Sequence, residues 1–192
     1  MKWVVLAIVA CIVPYTWLTL HFRKEGRPFE PYEDMKNQAN VERLLAHGYR
    51  RVPLPVERLD IPPAAQPGSP HIETIAGGYP PVLRDALAEP APLPESHRAV
   101  LVPATAATGQ PLPVVFTSLM PDDHHVVGGL ELYLKDNLLF LVPVFESVGG
   151  LSTRTRESSA RATIPAGVLK SGDYQITLLG SAGSAAWTLQ VH

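Results

Sequence analysis

Residues 3–20, WVVLAIVACIVPYTWLTL, form an uninterrupted uncharged stretch directly after Lys2. Eighteen helical residues at about 1.5 Å each span about 27 Å, close to the roughly 30 Å hydrocarbon core of a bilayer. Trp3 and Trp17 lie near the two ends of the stretch, where aromatic rings favour the headgroup level. The pattern predicts an uncleaved single-pass transmembrane helix, and residues 1–22 are assigned as the anchor.

Two cleavable alternatives compete with this anchor. A secretory signal needs a small-x-small exit, whereas the apolar run ends in residues 19–23, TLHFR, which carry none. Residues 8–11, IVAC, loosely fit a bacterial lipoprotein signal in which Cys11 would become the lipidated first residue. The apolar run before Cys11 is very short, and residues 12–20 would then remain as apolar mature sequence. The uncleaved span is therefore preferred.

The charges that flank the anchor give conflicting indications of its orientation. Arg23, Lys24 and Arg27 follow the apolar run and only Lys2 precedes it, so a literal positive-inside count places the large domain in the cytoplasm. Long domains, however, translocate largely regardless of charge. The single cysteine lies inside the apolar run, so disulfides do not indicate the compartment. We expect an extracytoplasmic, periplasmic-side domain, since anchored β-sandwiches of this size are most often displayed there.

A short amphipathic helix is predicted within the juxtamembrane segment, residues 23–50. Pro31 occupies a plausible first helical position, Glu33 and Asp34 follow in the first turn, and Gly48 comes after the last periodic residue. The apolar positions form a narrow stripe, which predicts a helix that lies against a partner, the membrane or its own domain.

Residues 51–95 carry eleven of the chain's 20 prolines. Because proline fixes φ and removes a backbone donor, this segment is predicted to be an extended strap without a long helix or a central strand. Apolar residues between the prolines argue against pure disorder. Residues 71–75 are predicted as a short edge strand, and residues 82–87 as one or two helical turns.

The last part of the chain, residues 96–192, alternates short apolar runs with turn residues and is predicted to be a β-sandwich. Leu130, Leu132 and Leu134 alternate with polar positions, which is the period of a strand with one buried and one wet face. Asp136 and Asn137 predict a two-residue hairpin. The predicted strands are residues 97–102, 112–119, 130–135, 138–145, 158–164, 173–180 and 185–191.

The strand at residues 138–145 departs from simple alternation. Residues 138–142, LLFLV, are continuously apolar, which predicts burial on both faces or a partner over the outer one. Pro143 predicts that the strand ends at a sheet edge or a bulge, because proline cannot donate to a ladder.

Residues 169–174, LKSGDY, carry the most specific local pattern, with a leucine, a glycine and a tyrosine just before the penultimate strand. This pattern resembles the tyrosine corner of immunoglobulin-like and fibronectin-III-like sandwiches. The resemblance implies that the Tyr174 hydroxyl bonds the backbone a few residues upstream. It covers residues 97–192 and concerns the fold alone, since the Cys-Trp-Cys framework of antibody domains is absent and such folds host unrelated functions.

One cluster of residues has ligand chemistry. Met120, His124 and His125, with Asp122 and Asp123 between them, combine a thioether, two imidazoles and two carboxylates, and methionine with histidine suits copper. Adjacent residues on a strand point to opposite faces, so they chelate one ion only in a bent loop. The alternative is a solvated polar loop without a metal.

The rest of the chain limits the classes of function. It lacks a glycine-rich phosphate loop, a nucleophile elbow and a paired-cysteine motif, so we expect no enzyme. A net charge of −2 argues against nucleic acid as a partner. The favoured hypothesis is a non-catalytic, membrane-anchored accessory or assembly subunit of a membrane protein complex that acts through protein–protein contacts and needs no cofactor. The alternative is a copper-handling module, which by architectural resemblance would assist respiratory oxidase assembly.

Overall fold

A computed structural model describes residues 32–60, 70–149, 153 and 155–192, together with residues 2, 3, 12, 14, 15 and 17. The chain divides into two compact units, Met1–Ala39 and Asn40–His192. Most of the predicted anchor and the basic residues after it lie outside the described residues. Within the described part, no helix has the length and apolar character needed to cross a membrane.

The described part of the chain is mainly β, as the sequence predicts. It contains two helices, α1 (Tyr32–Ala46) and α2 (Pro81–Arg84). All seven strands predicted in residues 96–192 and the edge strand predicted at residues 71–75 are present, together with two strands that the sequence did not predict. The ten strands are β1 (Arg50–Leu59), β2 (Glu73–Ala76), β3 (Ser96–Leu101), β4 (Thr105–Ala106), β5 (Leu112–Leu119), β6 (His125–Lys135), β7 (Leu138–Ser147), β8 (Glu157–Ile164), β9 (Gly172–Leu178) and β10 (Gly183–Val191).

The strands form a curled sheet in the order β2-β10-β9-β7-β6-β1-β8-β5-β3, and β4 pairs with β10 off this path. The pairs are antiparallel except β7 with β9 and β4 with β10, which are parallel. The sheet curls into a half-barrel and is compatible with a β-sandwich. Asp136 takes the positive φ of +52° in the β6–β7 hairpin, at the position where the sequence predicts the turn.

The absence of a central strand from the proline-rich segment is a wrong prediction, because β1 lies in the interior of the sheet. Its first half, through Pro55, pairs with β6, and its second half, from Val56, pairs with β8. Alternate N–H groups point to opposite sides of a strand, so Pro53 and Pro55 both lack a donor on the same side. The ladder to β6 uses the other side, and the ladder to β8 begins only after the second proline. The two prolines therefore set where β1 changes partners.

The concave side of the sheet holds the inner core, built from the alternating inward residues of eight strands. Tyr174, Ile176 and Leu178 share this buried face, as the alternation in β9 predicts. Its fully buried large side chains are Phe116, Met120, Leu130, Leu132, Leu139, Leu141, Ile164, Ile176 and Leu178. Among the described residues, the buried polar side chains are Thr117, Ser118, Ser158, Ser159 and Ser184, and none of them is charged.

A second apolar group, the outer cluster, lies on the opposite face of β6 and β7. Tyr133, Phe140 and Val142 form its sheet side, and the chain's own residues cover them: Leu44, Tyr49, Leu83, Ala86 and Leu179, with Tyr79, Leu87 and Leu93 at the margin. The expectation of a wet outer face on β6 is therefore wrong at Tyr133. The second face of residues 138–142 is buried at Phe140 and Val142, as predicted, while Leu138 stays exposed, and a helix and the proline-rich strap provide the cover.

Helix α1 ends where the sequence predicts. Gly48 has a φ of +78°, the Tyr49 N–H donates to Leu44 O at 2.9 Å, and the Gly48 N–H donates to Leu45 O at 2.9 Å. These two bonds make a Schellman motif, which brings Leu44 and Tyr49 together in the outer cluster. The Arg43 guanidinium donates to Asp85 O at 2.9 Å and ties α1 to the end of α2.

The Tyr174 hydroxyl accepts a hydrogen bond from the Lys170 N–H at 3.0 Å, four residues upstream. The local bond expected of a tyrosine corner is therefore present. Pro143 also behaves as expected: the β7–β9 ladder ends at Leu141, and β6 bulges between Val127 and Gly129 opposite the end of β7.

Candidate functional site

The predicted metal-ligand cluster lies in the loop between β5 and β6. Met120 is fully buried in the inner core, and its backbone is held by Arg156. The Met120 N–H donates to Arg156 O at 2.7 Å, and Arg156 Nε donates to Met120 O at 2.9 Å. The same guanidinium forms an ion pair with Glu95. The thioether is thus part of the apolar packing.

Asp122 organises the two histidines of this loop. Its Oδ1 accepts from the His124 N–H at 2.9 Å and from His125 Nδ1 at 2.8 Å. The hydrogen bond from His125 lowers the pKa of the Asp122 carboxyl. The His125 ring packs against Phe145 with centroids 5.8 Å apart, while His124 Nε2 lies 3.4 Å from Asp123 Oδ1. The bent loop therefore gives each imidazole a different carboxylate neighbour.

The structure brings His125 and Asp122 together and keeps Met120 in the core. Within the described part, no three side chains of histidine, cysteine, aspartate or glutamate converge on a point that could hold a metal ion. Copper binding by Met120, His124 and His125 stays a prediction. A carboxylate on His125 Nδ1 fixes the ring tautomer and leaves Nε2 for other contacts. Histidines that bind a metal usually make such a hydrogen bond to a carboxylate through their other ring nitrogen.

A polar group that sequence analysis missed lies beside the outer cluster. Glu131 accepts from the Arg51 guanidinium at one oxygen and from the Tyr133 hydroxyl at the other. Burial, assisted by Glu131, raises the pKa of the Tyr133 phenol and that of Tyr79. The Tyr79 hydroxyl donates to Ala91 O at 2.9 Å and braces the strap over the sheet. Recognising this group needed the Arg51–Tyr133 register, and so needed β1 to be predicted as a strand.

His97 is a partly buried titratable residue that the sequence did not single out. Its Nδ1 lies 3.0 Å from Ser118 Oγ, and its Nε2 lies 3.1 Å from Leu179 O. Burial lowers its pKa to about 4, and the hydrogen bond to Leu179 opposes this shift. A lone histidine in a strand carries no sequence signal that separates a buried bridge from a surface residue.

One edge of the sheet borders an open groove. The four side chains of β2 are exposed, and Ile75 keeps 40% of its surface. The groove has a volume of about 470 Å³ and lies over the outer face of β9 and β10. Polar residues of that face, Gln175, Thr177 and Thr188, line it, and the β2 arm forms its wall. Among the described residues, no strand pairs with the free side of β2.

The other edge strand, β3, is protected against pairing with another chain. A bulge at Arg98 shifts its register, and Arg98 forms an ion pair with Glu157 at 2.9 Å. Bulges and charged side chains are devices that keep an edge from pairing with another chain. The two edges thus differ in their capacity to accept a further strand.

Comparison with other proteins places this chain in no family: no family model, no curated protein and no solved structure matches it. The fold is thus defined by strand pairing and burial. The candidate sites are defined by the contacts of individual side chains.

Proposed function

We propose that the protein is a non-catalytic, membrane-anchored accessory or assembly subunit of a membrane protein complex. Its β-rich part acts on the extracytoplasmic side of the membrane through protein–protein contacts. The observation that carries this proposal is the free edge of β2 beside an open groove. An exposed edge presents unpaired backbone donors and acceptors that an extended segment of a partner can complete.

The helix surface adds a second contact area. Val41 and Leu45 lie one turn apart on α1 and keep 37% and 60% of their surface exposed, while Leu44 turns into the outer cluster. Residues at i and i+4 are neighbours on a helix. α1 therefore packs on its own domain with one face and presents an apolar pair on another.

Membrane anchoring in this proposal rests on the uncharged stretch of residues 3–20. Carbonate extraction of membranes tests it: the full-length protein is expected in the membrane fraction, with an intact N-terminus. Recovery in the soluble fraction, or an N-terminus mapped beyond Leu20, would contradict the anchor. A topology reporter fused after His192 tests the orientation, and activity of the cytoplasmic reporter alone would contradict an extracytoplasmic domain.

Site-specific photo-crosslinking tests the contact role of β2. A photoreactive residue at Ile75 in the full-length protein is expected to crosslink to an integral membrane protein in native membranes. The matched control is the same residue at Thr163, which is exposed on β8. The proposal fails if neither position yields an adduct, or if both crosslink equally.

We further propose that the chain shares the tyrosine corner and a series of seven strands with immunoglobulin-like and fibronectin-III-like sandwiches, but not their strand pairing. The Lys170–Tyr174 bond and the seven strands from β3 to β10, β4 excepted, support the likeness. Immunoglobulin-type sandwiches are built from antiparallel sheets, whereas β7 and β9 are parallel here. The corner then serves to fix the β8–β9 connection onto this different topology.

Copper handling is the second candidate function. The contact between Asp122 and His125 Nδ1 favours it, because the carboxylate holds the other ring nitrogen ready as a ligand. His124 in the same loop would supply a second imidazole, and Met120 would have to leave the inner core to supply the thioether.

A further inference from the structure

The edge strand β3 meets the turn between β9 and β10 at a seam that closes the curled sheet. Three backbone bonds cross it: Ser181 N–H to Pro94 O at 2.7 Å, and the N–H groups of Ala182 and Gly183 to Glu95 O at 2.9 and 3.1 Å. Beyond these, the imidazole of His97 bridges the seam between Ser118 and Leu179.

The hydrogen bonds of His97 indicate the tautomer of its neutral ring. A carbonyl oxygen only accepts, so Nε2 carries a proton and donates to Leu179 O. Nδ1 is then the acceptor for the Ser118 hydroxyl. A second proton on the ring would turn Nδ1 into a donor and oblige the buried hydroxyl to reverse its role.

The interior behind the seam is polar. Ser118 on β5 and Ser158 on β8 are cross-strand neighbours on the core side of the sheet, and Ser158 Oγ accepts from the Val127 N–H at 3.0 Å. Both serines are buried. Water can replace hydroxyl hydrogen bonds, so this end of the inner core opens at a lower cost than an apolar end.

A charged His97 would have no carboxylate partner at the seam. β5, residues 179–182 and β10, which pack against it, contain no ionisable side chain. On its own segment, Glu95 is bound by Arg156, and Arg98 is bound by Glu157. A partly buried imidazolium would therefore be desolvated with only the hydrogen bond to Leu179 O to offset the cost.

We propose that His97 is an acid-sensitive latch, whose protonation releases β3 from the β9–β10 turn and opens this end of the sheet. The lowered pKa of about 4 agrees with this role. Between pH 6.5 and about 4 the His97 imidazole is protonated in the opened state and neutral in the closed state. The closed state therefore becomes less stable as pH falls. Above this window both states are neutral, and below it both are charged.

Hydrogen exchange of the full-length protein in detergent micelles tests the latch. The protection factors of the Ser181, Ala182 and Gly183 amides are expected to fall about 100-fold from pH 7 to pH 4. In His97→Gln, an amide that donates and accepts without titrating, the same protection factors should stay constant. His71→Gln, at an exposed histidine, is the matched control and should behave as the wild type.

Two outcomes overturn the proposal: protection of the three amides that does not change with pH in the wild type, or the same acid-induced loss in His97→Gln. An NMR titration of the wild-type imidazoles gives an answer even if the glutamine variant does not fold. A His97 ring that titrates near its ordinary pKa of 6.5 contradicts the latch, and one that titrates near 4 together with the amide protection supports it.

Discussion

The inner core and the outer cluster bury similar apolar side chains but satisfy their polar atoms differently. In the inner core, strand alternation turns apolar residues to the inside of the curled sheet, where those of different strands pack together. The outer cluster forms where a helix and the strap lie on a sheet face that also carries Arg51, Glu131 and Tyr133. Of the three buried side-chain atoms without a partner in the described part, Tyr49 Oη and Arg51 Nε lie in or beside the outer cluster, and Trp187 Nε1 lies in the inner core.

This difference indicates which of the two apolar groups contributes more to the stability of the domain. An unpartnered buried polar group costs about 1–3 kcal/mol, so the outer cluster gains less net free energy from similar burial. Short segments on a sheet face also open more readily than strands within the sheet. We therefore expect the inner core to govern global stability, and the cover to act as a separable layer.

The largest expected effect is Ile176→Ala. Ile176 is fully buried in the inner core, so its truncation opens a cavity and should lower the free energy of unfolding by about 2–5 kcal/mol. Denaturant unfolding of the full-length protein measures it. Gln175→Ala, at the adjacent exposed position, is the control and should stay within about 0.5 kcal/mol of wild type. Equal losses at both positions would mean that this face is not the core.

Leu83→Ala makes the corresponding change in the outer cluster. Leu83 is also fully buried, but α2 is a four-residue helix that can settle toward the sheet and reduce the cavity. We expect a loss of about 2 kcal/mol, smaller than for Ile176→Ala, and faster amide exchange at Arg84 and Asp85. Val82→Ala on the exposed side of α2 should change neither quantity. A loss larger than that of Ile176→Ala would reverse the ranking of the two layers.

The sequence predicts the inner core better than the outer cluster for a physical reason. Alternation in residues 130–134 and 173–180 specifies which side chains share a face, and that face is buried. The burial of Tyr133 depends on Leu44 and Leu83, which lie far away in the sequence. The continuous run at residues 138–142 shows only that the outer face is covered.

Another error also comes from pairing that local patterns do not encode. Prolines 53 and 55 argue against a central strand, yet both leave the same side of β1 without donors, and β1 uses the other side there. Met120 is a different case, because a thioether suits both a ligand set and an apolar core: the structure buries it, and its role as a metal ligand stays a prediction.

Tyr174→Phe is a smaller test at the margin of the inner core. The substitution keeps the buried ring and removes the hydroxyl that accepts from the Lys170 N–H. Lys170 is exposed, so water can reach its N–H, and we expect a loss of about 1 kcal/mol. The midpoint of denaturant unfolding measures it. An unchanged midpoint would mean that the bond adds nothing to the β8–β9 connection, and would remove the main support for a tyrosine corner.

The smallest expected effect concerns copper, and it tests whether Met120 belongs only to the inner core. A site with Met120, His124 and His125 would need the buried thioether to move out beside two histidines that contact Asp122 and Asp123. We therefore expect the full-length protein to bind Cu(I) or Cu(II) no more tightly than a His124→Ala/His125→Ala variant, as measured by competition with a chromogenic chelator. A stoichiometric site of submicromolar affinity that is lost in the double variant would favour copper handling over the scaffold role. Loss of the same site in Met120→Leu, which preserves the core volume, would show that the thioether leaves the core to bind metal.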